Sequence, residues 1–250
     1  MDVSIITSIY KSELFLSKYL RRIKSFREKV IKHELNIEFI LIANDISILE
    51  EKILKDRPIT NFKILRVKRE TLYASWNRGI REASADIIAF WNVDDIRFPK
   101  ALFNGANEIK KGAGLVYFSF ISFGVIKISL FIKKKRLPFL YVKKNNVPPY
   151  NRDLFMKGCI CGPFFMFHRS IIDKIGPFDE NFVVAGDFDW FAKAAFMNIT
   201  FKAIRTIGGI FILHSGNISG SNSLIQAKEN AEVTNRYFNK IHPEMVAVSE

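Results

Sequence analysis

The stretch Ile87-Ile88-Ala89-Phe90-Trp91-Asn92-Val93-Asp94-Asp95-Ile96-Arg97-Phe98-Pro99 decides how the rest of the chain is read. An apolar run ends abruptly in two adjacent carboxylates, and a proline follows. A run of this length bounded by turn signals reads as a strand buried on both faces. In an open α/β sheet, the C-terminal end of such a strand is where ligands bind. Two carboxylates side by side repel each other unless a cation or a donor-rich ligand lies between them. Two readings fit: a metal or ligand site, or a surface turn whose aspartates cap the following helix.

Outward from this run, strand and helix signals alternate. Val3 to Ser8 is a β-branched run expected as strand one. Leu14, Phe15, Tyr19, Leu20, Ile23, Phe26 and Val30 recur at helical spacing, so a helix is expected from Ser12 to Val30. Glu38 to Ala43 reads as strand two, ending at Asn44-Asp45, with a helix around Ser47 to Lys55 and then Pro58. Phe62 to Val67 reads as strand three and Leu72 to Ala83 as a third helix; the opening stretch supplies strand four. Such alternation means crossover units and a largely parallel sheet. Residues 136–152, with Pro138, Pro148 and Pro149, read as a flexible insertion or lid. A last helix is expected from Ala227 to Asn239, followed by a loose end.

Composition narrows the class. The 250 residues are 48% hydrophobic and include 24 phenylalanines, which excludes a disordered chain and allows a sizeable core. Net charge is +13, favouring anionic partners: nucleotide phosphates, nucleic acid or an anionic membrane surface. Positive charge clusters at Lys18-Tyr19-Leu20-Arg21-Arg22, Lys133-Lys134-Lys135-Arg136 and Lys143-Lys144. The second cluster follows an apolar segment, Leu115 to Ile132, that is too short and too interrupted by Lys127 for a membrane span. That segment is expected as a core strand, with an amphipathic membrane-surface patch as the alternative. Cys159 and Cys161 lie too close in sequence to pair readily, and no second pair completes a zinc site. A reduced, intracellular protein with small buried cysteines is expected, and Met1 opens on a strand pattern with no export signal.

Polar residues gather at the strand ends. Ser8-Ile9-Tyr10 follows strand one, Asn44-Asp45 follows strand two and Asp94-Asp95 follows strand four, so all are expected on one carboxyl edge. Neither a G-x-G-x-x-G fingerprint nor a G-x-x-x-x-G-K-[ST] loop is present. A divalent metal on Asp94 and Asp95, Mn2+ or Mg2+, would supply the neutraliser that phosphates need.

Six segments in order now carry a resemblance. Val3 to Tyr10 resembles an opening strand with its Thr-Tyr or Ser-Tyr turn, and Ile42 to Ser47 a strand ending in Asp-Asp-Gly-Ser. Tyr73 to Gly79 resembles a helix with an alanine, asparagine and glycine pattern, and Phe90 to Asp95 with Pro99 an Asp-x-Asp-Asp segment. Gly176-Pro177-Phe178-Asp179-Glu180 and Gly186-Asp187-Phe188-Asp189-Trp190 resemble Gly-Gly-Phe-Asp-Glu and Glu-Asp-x-Asp. Together they resemble a family 2 glycosyltransferase from residue 3 to about residue 220.

The resemblance implies a single GT-A-type α/β domain, with a Rossmann-like, mostly parallel sheet flanked by helices and a C-terminal acceptor-side portion. Residues 1–100 would bind the nucleotide-sugar donor, 101–225 the acceptor, and 226–250 would form a helix and tail. It implies an inverting, metal-dependent transfer of a sugar to an acceptor hydroxyl, in bacterial surface polysaccharide or glycolipid synthesis. Asp187 would be the general base, whose plainer reading is a cap for a helix from Asp189 to Met197. Asp95 would bind the metal, and Asp94 would bind the ribose or share the metal. His214 would approach the metal or diphosphate, although a lone histidine at a strand end is more often structural. Asp45 would accept the base imide hydrogen, with Ser8 and Tyr10 lining the base pocket. Asn77 would either join that site or satisfy its own helix.

His168 is a weaker candidate than Asp187. Asn44, Asn92, Ile46 and Gly186 depart from the family pattern; Ile46 makes its turn less permissive than glycine would.

The expected partners are a nucleotide sugar, UDP-linked first, and a saccharide or lipid-linked saccharide acceptor. Nucleic acid is not expected, the oligomeric state is left open, and the location is cytoplasmic, with peripheral contact at the inner membrane face. Two other classes stand beside this reading. A sugar nucleotidyltransferase would want a glycine- and arginine-rich loop where Thr7-Ser8-Ile9-Tyr10-Lys11 stands. A basic module for nucleic acid or anionic lipid would have no use for carboxylates at the sheet edge.

Overall fold

The apolar runs of the first ninety residues become strands because their β-branched side chains pack on both faces of a sheet, while amphipathic segments between them cover it. A computed structural model describes residues 1–32, 34–129, 136–218 and 222–238. In chain order the first half holds β1 (Val3–Ile9), α1 (Glu13–Ile31), β2 (Ile37–Asn44), α2 (Ile48–Lys55), β3 (Phe62–Val67), α3 (Leu72–Glu82) and β4 (Ile87–Phe90). These agree with the expected elements to within a residue or two, except that strand four stops at Phe90. The Trp91 indole N–H donates to the Asp95 carbonyl (3.1 Å) and the Asp95 N–H to the Asn92 carbonyl (3.1 Å), turning the chain out of the sheet.

The second half holds β5 (Ile96–Arg97), α4 (Pro99–Lys110), β6 (Leu115–Ser129), β7 (Arg136–Asn145), α5 (Arg152–Met156), β8 (Phe165–His168), α6 (Ser170–Ile175), α7 (Gly186–Phe196), β9 (Phe201–Leu213) and α8 (Ser223–Tyr237). Local chemistry fixes several helix starts. Ser47 and Glu50 form a reciprocal capping box, the Thr71 side chain accepts from the Ala74 N–H, and Pro99 opens α4.

The described strands form one sheet in the order β3-β2-β1-β4-β8-β6-β9-β5, with β7 paired to β6. β1, β2, β3, β4, β6 and β9 share one direction; β5, β7 and β8 run against it. Strand order reverses at β1, which pairs in parallel with both β2 and β4, so their carboxyl ends meet at one edge. Two buried cores line the faces: one includes Tyr73, Trp76, Phe178 and Trp190, the other Leu16, Tyr19, Trp91 and Phe118.

Three expectations change. The core strand expected over Leu115–Ile132 is β6, followed as far as Ser129; residues 130–135, with Lys133, Lys134 and Lys135, lie outside the described residues. Much of the expected lid is strand β7, in register with β6 from Ser129↔Arg136 to Phe120↔Asn145. Pro138 is tolerated because, among the described strands, β7 pairs only with β6 and is an edge strand. The last helix begins earlier than expected, at Ser223, and residues 239–250 fall outside the described range.

Candidate active site

The turn after β4 is built by a close crossing of β5 with β9. Ile96 and Arg97 pair antiparallel with Ile210 and Gly209, and the Phe98 N–H donates to the Gly208 carbonyl (2.9 Å). A side chain at residue 209 would place its Cβ 2.1 Å from the Ile96 carbonyl oxygen, so only glycine allows this approach. The crossing brings the end of β9, and with it His214, onto the carboxylate pair. His214 Nε2 lies 2.7 Å from Asp94 Oδ2, and the Asn217 amide donates to the same oxygen (3.4 Å).

The two aspartates face different surroundings. Asp95 is 1% exposed, accepts from the Ile212 N–H (2.9 Å) and is bonded by the Asn92 amide (3.3 Å). Burial, reinforced by the neighbouring Asp94 charge, pushes its carboxyl well above the ordinary range. Asp94 keeps part of its side chain open at the rim. From α1, Arg22 donates to both carbonyls, 3.4 Å to Asp94 and 3.1 Å to Asp95, and Phe15 packs on the His214 ring. Among the described residues, buried Arg97 has no carboxylate partner; it donates to the carbonyls of Phe90 (2.8 Å) and Phe165 (3.4 Å), and its Nε has no partner there. That desolvation lowers its pKa to about 9.

His214 is held on both sides. The Gly216 N–H donates to Nδ1 (3.1 Å), which makes Nδ1 the acceptor and leaves the ring proton on Nε2, facing Asp94. The His214 N–H donates to Asn217 Oδ1 (2.6 Å), closing a small turn.

Along the same edge, Asn44 replaces a family carboxylate and is 1% exposed. Its amide donates to Ser8 Oγ (3.1 Å) and Ser75 Oγ (3.0 Å), and its oxygen accepts from the Glu70 N–H (3.1 Å). An amide can donate and accept here where a carboxylate only accepts. Asp45 is exposed and itself takes the left-handed conformation, φ 39°, so Ile46 is spared the strain expected of it. Tyr10 stands at the rim with the Arg69 guanidinium 3.5 Å over its ring.

Asp187 lies in the first turn of α7, inside the helix rather than capping it, and its Oδ1 accepts from the Phe188 N–H (2.8 Å). It keeps partial exposure, yet dense surroundings dominate: desolvation, with Glu229 adding, pushes its carboxyl up to about 6. The loop before it is held from two elements. Glu229 of α8 accepts from the N–H groups of Val183 (2.8 Å), Val184 (2.9 Å) and Ala185 (2.8 Å), and the Tyr73 hydroxyl donates to the Val184 carbonyl (2.6 Å). A Cβ on Gly186 would sit 2.6 Å from the Tyr73 ring, which explains why no glutamate stands there.

Asn77 spends its amide on structure: it donates to the Phe178 carbonyl and Glu180 (both 2.9 Å) and accepts from the Phe178 N–H (3.0 Å). α3 thus ties the two regions together, through Ser75 to Asn44 at the sheet edge and through Tyr73 and Asn77 to the loops before Asp187.

The sequence profile of glycosyl transferase family 2 matches residues 4–176. The chain belongs to that family. Its fold is that of TarS from S. aureus, whose residues 1–349 were crystallised with UDP-GlcNAc: TM-score 0.65, 14% identity, over 96% of this chain and 72% of that one. It is likewise similar to the mannosyltransferase PcManGT of Pyrobaculum calidifontis, solved with GDP-Man and Mn2+, at TM-score 0.64 and 13% identity over 94% and 63% of the two chains. A search by sequence among curated proteins finds no match. This family 2 chain is therefore a GT-A-type glycosyltransferase, and a nucleotidyltransferase or a purely binding module no longer describes it.

Against the family pattern, the structure gathers Asp94, Asp95 and His214 at one place, Ser8 and Asn44 beside it on the edge, and Asp187 in its own loop. His168 falls at the opposite edge, paired with Ile87 at the start of β4. Cys161 is buried as expected; Cys159 is exposed. Arg22, Asn217, Tyr73 and Glu229 escape sequence reading, because each acts through a backbone group or a neighbour distant in sequence. Only the Ser215-Gly216-Asn217 turn signal after β9 hints at one of them.

Among the described residues, no group of three or more His, Cys, Asp or Glu side chains is placed to cage a metal. The partly open Asp94 fits an ion of another kind, one that binds a single carboxylate and takes its other ligands from phosphates and water. No described helix is long and apolar enough to cross a membrane.

Proposed function

We propose that this glycosyltransferase moves a sugar with inversion from a nucleoside diphosphate sugar, UDP-linked first, to an acceptor hydroxyl. The observation that carries this is a pair of separate carboxylates with opposed settings: Asp94 at the open rim of the β4 turn and Asp187 raised to about 6 in the α7 loop. Asp94 is the residue that would hold Mn2+ or Mg2+, and the ion when bound would neutralise the departing diphosphate. Asp95, turned into the protein, fixes the turn through Ile212, and His214 orients Asp94 through its Nε2 proton. Ser8, Tyr10 and the exposed Asp45 line the base side; Asn77 holds the Phe178–Glu180 loop.

Asp187 takes the proton from the acceptor hydroxyl as the new glycosidic bond forms. Its elevated pKa makes it a better base than a surface aspartate, and above about pH 6 it is ionised and ready. The UDP-GlcNAc in one of the two similar structures, and the GDP-Man with Mn2+ in the other, support a nucleotide-sugar donor and a divalent metal. Residues 1–100 would serve the donor and 101–225 the acceptor. The setting we propose is bacterial surface polysaccharide or glycolipid synthesis on the cytoplasmic side.

The test pairs binding with transfer. Asp187→Ala is expected to bind UDP as the natural protein does while transfer, followed as UDP release from UDP-sugars with a panel of saccharide acceptors, falls about 100-fold or more. Retention of transfer in Asp187→Ala would remove it as the base.

A further inference from the structure

We infer that the β6–β7 ribbon is a docking surface for an anionic lipid bilayer, set beside the active-site edge. The charge is lopsided: between Lys111 and Asp153 the chain has eight Lys and Arg and no acidic residue, in a protein of net charge +13. The position is fixed by strand direction. β6 runs parallel to β9, and Gly124 pairs with Leu213, the residue before His214. Beyond Gly124 the described β6 backbone pairs only with β7, through Ser129↔Arg136. A two-stranded ribbon of roughly 17 Å therefore leaves the sheet at the edge that carries Asp94.

Such a ribbon is marginal in water unless something covers it, and the exposed side chains at its base, where β6 still pairs with β9, say what that is. Leu140 is 66% exposed and Val142 59%, and Phe123, directly opposite Val142, is exposed too. Direct partners and residues two apart share a face, so these three form one apolar face, with Lys144 beside them at the Ile121 register. Lys144 is exposed on that face, and Lys143, exposed as well, stands on the opposite face at the Ser122 register. Apolar side chains that sink to the acyl boundary, flanked by lysines at headgroup level, match an anionic membrane surface. A protein partner of ordinary composition would leave that one-sided positive charge unanswered. Resting on the transferase reading, the placement means that the acceptor hydroxyl is delivered from a lipid-borne molecule.

The experiment is co-sedimentation of the full chain with phosphatidylcholine vesicles containing roughly one-third phosphatidylglycerol, and with pure phosphatidylcholine. Manganese-dependent UDP binding is measured on every variant as an independent check of the folded donor site. The natural protein is expected to sediment with the anionic vesicles alone and to be released by salt. Lys143→Ala/Lys144→Ala is expected to weaken partitioning about tenfold or more, and Leu140→Asp/Val142→Asp to abolish it, both with UDP binding unchanged. No sedimentation of the natural protein, equal sedimentation with neutral vesicles, or sedimentation of the lysine variant at the natural level would each overturn the proposal. So would a dimer in solution that Leu140→Asp dissociates without any vesicle binding, since a second copy would then cover the face. Loss of UDP binding with vesicle binding intact would count against the donor-site reading and leave this surface standing.

Discussion

Asp187 concentrates the tension between stability and reactivity in a single side chain. Its folded pKa of about 6 lies above the ordinary aspartate value near 3.9, so the folded protein holds this proton more tightly than the unfolded chain. The stabilisation from that proton is complete below about pH 4 and is lost as pH rises through about 6. At neutral pH the ionised carboxylate then costs up to about 3 kcal/mol, at about 1.4 kcal/mol per pH unit. Asp187→Asn is accordingly expected to raise Tm at pH 7.5 and to leave it nearly unchanged at pH 4, in thermal melts across that range. Transfer by the natural enzyme is expected to climb with pH through about 6 and then level, and the asparagine variant to lose it. A flat pH profile would separate the reaction from this group. Asp187 was legible as a candidate because a carboxylate follows the Gly186 position of a family segment. Its environment was not, since Tyr73 and Glu229 hold the 183–185 loop before it from 111 and 44–46 residues away.

At the scale of elements, two contacts place the carboxylates, and neither has a periodic signature. β5 is two residues long and is defined only by its crossing with β9. Gly209→Ala would drive a Cβ into the Ile96 carbonyl and the Phe164 ring. It is expected to destabilise the fold by about 1–3 kcal/mol and to weaken manganese-dependent UDP binding at the same time, in denaturant titration and calorimetry. α8 supplies Glu229, whose carboxylate satisfies three backbone N–H groups of the 183–185 loop. Glu229→Ala strands those donors and is expected to cost about 3 kcal/mol or more. At temperatures where the variant stays folded, kcat should drop while UDP affinity stays near its natural value. By contrast β1, β2, β3, α1 and α3 could be read from the chain to within a residue or two. Buried β-branched runs and 3.6-residue spacing are local properties, whereas the β6–β7 pairing and the β5 crossing depend on what lies opposite.

For the whole molecule, strand order 3-2-1-4 puts Ser8, Asn44 and the Asp94 turn on one edge, the arrangement implied by polar residues at successive strand ends. The surplus of positive charge is not spread evenly along the chain: residues 112–152 hold eight Lys and Arg and no acidic residue. A ligand that binds only the folded form stabilises all of it: saturation at 100 times Kd adds about 2.7 kcal/mol. For a chain of this size that is expected to raise Tm by roughly 5–10 °C with UDP and Mn2+ together, and far less with either alone. The metal-bridged donor site is tested most directly by calorimetric titration of UDP into the natural protein and Asp94→Ala, each with and without Mn2+. The natural protein is expected to bind UDP only with the metal present, and Asp94→Ala to lose that binding. Metal-independent binding that survives Asp94→Ala would contradict it.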